Sequence, residues 1–206
     1  YSNKALELSM FLSLPASIAL LVGSEEIISA LFGYGSFSKN GVINSANALF
    51  YFGLGLPAFA LIKVFSSFFF ANQDTKIPFY ISLLSVILNV IISITFFKSF
   101  GFIIIPIATT LSSWFNAMVL FIFLRKRNLF KFNNIFIERF FKIILSSFLM
   151  GLFFKFLTIV LENQLSYNFS FKSIYLLLSV LLCIIFYLWI SFLIKAFKIE
   201  DIKLKY

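Results

Sequence analysis

The sequence predicts an all-α, polytopic transmembrane bundle of six spans, and three observations lead there. Hydrophobic residues make up 61% of the chain and charged residues 12%, with a mean hydropathy of +1.02. A soluble domain carries about twice that charged fraction, so this chain cannot solvate a globular surface and belongs in lipid. A helix needs about 20 apolar residues to cross the hydrocarbon core, and six segments come near or exceed that length: 5–23, 42–70, 79–97, 102–124, 137–161 and 173–197. Barrel strands are about ten residues of alternating character; these runs are longer and uniformly apolar.

Six spans put both ends on one side. Thirteen of the 17 basic residues fall on that side: Lys4, Lys63, Lys76, Arg125, Lys126, Arg127, Lys131, Arg139, Lys142, Lys195, Lys198, Lys203 and Lys205. Lys39, Lys98, Lys155 and Lys172 fall on the other. Positive charge in short loops marks the cytoplasmic face, so both ends are expected in the cytoplasm. The net charge of +9 is read as helix flanks facing anionic lipid rather than as a nucleic-acid surface. Nothing reads as a signal peptide. Lys4 to Glu7 look like a helix already under way, and the chain is expected to be the C-terminal part of a longer protein. It divides into four spans over 1–124, a basic cytoplasmic linker over 125–142, and two spans with a tail over 143–206.

The first span carries Pro15, which should kink it. Ser24 is placed to cap a short helix with Glu25 and Glu26 in its first turn, where negative charge is favoured. GYGSFSKNG is a glycine-rich external turn, with Ser38 capping the second span. That span contains Gly53, Gly55 and Pro57. The two glycines weaken the helix, and Pro57 frees the Gly53 carbonyl four residues back. In a membrane such a carbonyl needs a partner or a hydrated cavity; broken helices of transporters use this, while a passive kink needs no function. Lys63 either snorkels to the cytoplasmic interface or faces a polar cavity.

ANQDTKIP joins the second span to the third. Asp74 or Thr75 can cap the third helix, and Pro78 then falls in its first turn, where a missing N–H costs little. Ser82, Ser85, Asn89 and Ser93 form one polar stripe along the third span. Thr109, Thr110, Ser112, Ser113 and Asn116 lie in the fourth, with Trp114 deep in it. Such groups serve either as interhelical packing contacts or as a water-accessible surface. The linker RKRNLFKFNNIFIERFFK is expected at the interface. The last two spans offer lipid almost only aliphatic and aromatic surface.

Reactive groups are scarce. The chain has no histidine and one cysteine, Cys183, within the last span. The acids do not cluster as Mg²⁺ ligands would, and no phosphate-binding glycine loop is present. No catalytic residue, metal site or cofactor is expected. An ion gradient or the membrane potential would have to drive any transport.

One stretch is more specific. Leu31, Phe32, Gly35 and Phe37 match an LF-x-x-G-x-F turn. Tyr51 and Phe52-Gly53-Leu54 carry a Y-x-x-G-L element with shifted register, and Lys63 follows late in the helix. Phe69-Phe70-Ala71, Asp74-Thr75 and Pro78 match an F-Y-A-x-x-D-T-x-T-P turn, with Phe70 and Ile77 replacing its Tyr and second Thr. Gly101, Ala108, Thr109, Ser112 and Asn116 follow a fourth-span pattern. Together these resemble the C-terminal half of the MurJ (MviN) family of lipid II flippases, within the multidrug and oligosaccharidyl-lipid exporters. The likeness covers most of 5–127; beyond it hydropathy and topology agree.

The resemblance implies a fourteen-helix, two-lobed transporter of the bacterial inner membrane, of which this chain is the last six spans. It implies flipping of the undecaprenyl-linked peptidoglycan precursor by alternating access, with membrane lipids and the N-terminal lobe as partners. Lys63, Asn89 and Asn116 would be cavity or lobe-core groups, and Asp74, Thr75 and Pro78 a stiff turn. Family arginines that engage the diphosphate lie mostly in the other lobe, and the last two helices would form a groove for the polyprenyl tail. The alternatives are another polysaccharide-lipid or drug exporter of the same superfamily, or a non-transporting membrane scaffold.

Overall fold

The computed structural model describes residues 2–128 and 133–196. Eight α-helices appear there: α1 Ser2–Val22, α2 Ser24–Phe32, α3 Lys39–Ala71, α4 Lys76–Phe100, α5 Ile104–Lys126, α6 Asn134–Val160, α7 Glu162–Leu165 and α8 Lys172–Leu193. α1, α3, α4, α5, α6 and α8 are the six expected spans. Lys131, Lys198, Lys203 and Lys205, with the acids Glu200 and Asp201, lie outside the described residues.

Five stretches are long and apolar enough to cross a membrane, and one of them, Lys76–Lys126, has 51 residues. It is a hairpin. The chain turns at Gly101, whose φ of 62° is open to glycine without strain, and a 3₁₀ turn over Gly101–Ile103 leads into α5. Asn89 meets Thr109 and Ser82 meets Asn116, so α4 and α5 run antiparallel. The multi-pass architecture therefore stands at six crossings.

Side by side, the spans follow the order α4, α5, α3, α1, α6, α8. α3 lies between α5 and α1, and its glycines explain how. Gly53 and Gly55 are two residues apart, so they sit on nearly opposite faces of the helix. A Cβ at Gly53 would lie 3.0 Å from Leu20 Cβ of α1, and one at Gly55 would lie 2.9 Å from Thr110 Oγ1 of α5. Each glycine admits one neighbour, as small residues do between membrane helices. Gly151 of α6 does the same for α1, where a Cβ would collide with Ile18 Cγ2.

The two mid-span prolines do not break their helices. α1 continues through Pro15 and α3 through Pro57. Each proline orphans the carbonyl four residues back, and a hydroxyl from a neighbouring helix meets it. Ser17 Oγ of α1 donates to Gly53 O at 2.7 Å, and Tyr187 Oη of α8 donates to Phe11 O at 2.8 Å. No hydrated cavity is needed to satisfy either carbonyl.

Three boundaries differ from the sequence reading. Ser24 is the first residue of α2 rather than its cap; Gly23 holds the cap position, with no side-chain bond. The basic segment 125–142 is mostly helix: α5 runs to Lys126 and α6 starts at Asn134. Asn133 Oδ1 accepts from the Ile135 amide, stopping the linker early. Residues 129–132 of that linker lie outside the described residues. Ser38 does cap α3, accepting from Gly41 N at 3.1 Å. Outward faces stay apolar, as at Ile94, Leu177 and Phe192, because lipid is as good a solvent for them as a core.

Candidate functional site

The turn between α3 and α4 is built from its backbone outward. Gln73 takes a left-handed φ of 59°. Asp74 N donates to Phe69 O and Gln73 N to Phe70 O, the paired bonds of a Schellman stop. Asp74 then starts the next helix. Its Oδ1 accepts from Lys76 N at 3.1 Å and Ile77 N at 3.3 Å. Thr75 has helical φ and ψ and makes no side-chain cap, so of the two candidates Asp74 is the cap. Pro78 is buried in the first turn.

Asp74 also reaches a third helix. Arg127, at the C-cap of α5, donates from Nη1 to Asp74 Oδ2 at 2.6 Å. The Ile77 amide, and then Arg127, hold the Asp74 carboxyl below its ordinary value. One carboxylate thus pins the ends of α3, α4 and α5 together. No local spacing points to Arg127 as its partner, 53 residues away.

Above this turn runs a polar seam. Asn89 Nδ2 donates to Thr109 Oγ1 at 3.1 Å and Ser112 Oγ at 3.4 Å. Asn116 Nδ2 donates to Ser82 Oγ at 3.4 Å, while its buried Oδ1 has no hydrogen-bond partner. Both asparagines therefore bond α4 to α5. On the far side of α5, Thr110 Oγ1 donates to Tyr51 O at 2.6 Å and Trp114 Nε1 to Leu54 O at 3.0 Å. With Ser17, three side chains dock on the α3 backbone between Tyr51 and Leu54. Gly53, Gly55 and Pro57 are where three helices meet. Lys63 stands apart: its side chain is exposed two turns from the end of α3.

Several buried groups were missed. Glu7 of α1 is 7% exposed and pairs with Arg139 of α6 at 3.0 Å, inside a segment read as linker. Lys172, read as an external flank, is fully buried. Its Nζ donates to Gly33 O at 2.6 Å and Tyr167 O at 2.7 Å, and lies over the Tyr34 and Tyr167 rings. It sits at the C-terminal end of α2, where the helix dipole favours a cation. Of these two tyrosines only Tyr167 lies near Lys172 in the sequence.

Comparison with known proteins bears on the fold as a whole. A solved structure of lipid II flippase MurJ in an inward closed conformation superposes with a TM-score of 0.74 at 25% identity, over 92% of this chain and 37% of that one. A probable lipid II flippase MurJ of Thermotoga maritima is 34% identical over 194 residues, 94% of this chain and 37% of the relative. One from Rhizobium meliloti is 43% identical over 119 residues, 58% of this chain and 22% of the relative. The chain thus spans little more than a third, at most, of the length of these relatives. The family model described as lipid II flippase MurJ matches residues 2–197, and the chain accordingly belongs to the MurJ family.

Proposed function

We propose that this chain is the C-terminal portion of an inner-membrane carrier that flips lipid II, the lipid-linked peptidoglycan precursor, by alternating access. The observation that carries the reading is the family match over residues 2–197, with the 0.74 superposition on a solved lipid II flippase. The headgroup crosses between this lobe and an N-terminal lobe while the polyprenyl tail stays in lipid along α6 and α8. Both ends of the chain face the cytoplasm, by the bias of basic residues. No cofactor is assigned; an ion gradient or the membrane potential drives the cycle.

In this reading Lys63 is an exposed cation for the anionic cargo or the interface. Asn89 and Asn116 keep α4 and α5 one unit, and the Asp74, Thr75 and Pro78 turn joins that unit to α3. The hairpin and α3 then move as a rigid body, which alternating access requires. The test is reconstitution of the full-length protein into vesicles loaded with lipid II on one face. Faster appearance of lipid II on the other face than in protein-free vesicles is expected. An unchanged rate would leave the scaffold reading in its place.

A further inference from the structure

At the end of the bundle opposite Asp74, α2, the start of α3, the end of α6 and α7 enclose a cleft of about 330 Å³. Glu25, Glu26 and Glu162 line it, with Lys39, Ser29 and Tyr167. Among the described residues none of the three carboxylates has an ion-pair partner, and neither does Lys39. Ser29 is 5% exposed, and its hydroxyl has no hydrogen-bond partner. A buried hydroxyl left unpaired is costly, and this one lies in the wall of a cleft that holds net negative charge.

The three acids do not form a group able to hold a metal ion, so a point charge is a poor fit. A primary ammonium suits dispersed acceptors better, since its three N–H groups can reach separate oxygens. Lys39 adds a requirement: the ligand needs an anionic group beside its ammonium. The cleft also lies where α3 begins and α6 ends, at the level of lipid headgroups on that side of the bilayer. We propose that this cleft binds the phosphoethanolamine headgroup of a membrane lipid, with the ammonium toward Glu25, Glu26, Glu162 and Ser29 and the phosphate toward Lys39.

The proposal rests on the membrane-spanning architecture and not on the cargo. Native mass spectrometry of the full-length protein, exchanged into micelles doped with one lipid at a time, tests it. Phosphatidylethanolamine should be retained over phosphatidylcholine, whose quaternary ammonium donates no hydrogen bond, and over phosphatidylglycerol, which has no cation. Glu26→Gln with Glu162→Gln should weaken retention about tenfold or more, the size expected for charge-assisted hydrogen bonds. Lys39→Glu should weaken it too, while leaving an ammonium-only ligand unaffected or tighter. Equal retention of the three lipids, or retention indifferent to all three substitutions, overturns the proposal. Intact lipid II flipping alongside such a result would remove the headgroup site alone.

Discussion

Ser17→Ala isolates the bond that answers Pro57. Ser17 Oγ donates to Gly53 O at 2.7 Å, and both residues are buried between α1 and α3. Pro57 offers that carbonyl no N–H, so removing the hydroxyl orphans it. An unsatisfied buried acceptor costs about 1–3 kcal/mol, while hydrogen bonds between membrane helices average about 0.6 and reach about 1.7 kcal/mol. The overlap puts the loss near 1–2 kcal/mol. Pro57→Ala restores an N–H that can reach Gly53 O within α3. In that background Ser17→Ala should cost little, giving a coupling energy of about 1 kcal/mol. Reversible unfolding of the full-length protein in mixed micelles, run on the four corners of the cycle, measures it. Equal costs of Ser17→Ala in both backgrounds would refute the claim that the serine exists to satisfy the proline-freed carbonyl.

Other expectations follow from the same contacts. Gly55→Ala should destabilise by about 1 kcal/mol despite its gain in helix propensity, because overpacking costs about 1–3 kcal/mol; the loss should shrink beside Thr110→Ala, which removes the atom it meets, as micelle unfolding will show. Asp74 has its folded pKa lowered, so its contribution is present above the ordinary carboxylate pKa and fades as pH falls through the folded value. Thermal midpoints of the full-length protein should drop on acidification below about pH 4, and less so for Asp74→Asn; parallel acid profiles would contradict the pinning role. Lys172→Met removes the donor to both Gly33 O and Tyr167 O and should cost about 2–4 kcal/mol in the same unfolding assay; a neutral result would show that the buried cation is dispensable. Asp74→Ala should impair growth rescue by the full-length protein while its membrane level persists, and normal rescue would confine the turn to a structural role.

The spans were legible because lipid imposes a length and a composition on each crossing, and 79–97 and 102–124 separated cleanly at Gly101. The polar stripe on α4 was legible too, since three- and four-residue spacing puts Asn89 and Ser82 on one face. Partners were not. Nothing near Pro57 names Ser17, and nothing near Pro15 names Tyr187, 176 residues away from the carbonyl it serves. Burial of Lys172 depends on a loop folding over it, which hydropathy does not register. The cap at Asp74 rather than Thr75 turned on a left-handed Gln73, a conformation that residue type did not announce. The glycines of α3 read as weakness along the helix, whereas their use is across it, as contact points for α1 and α5.

The most direct measurement is impermeant thiol labelling of single cysteines placed at Asp74 and at Gly101 in the full-length protein in intact cells. Cys183 is buried and adds no background. Six crossings with cytoplasmic ends predict that position 101 reacts from outside and position 74 only after the membrane is opened. Reaction of both positions from one face would contradict the hairpin, and with it the proposal that this chain is the C-terminal portion of a two-lobed carrier.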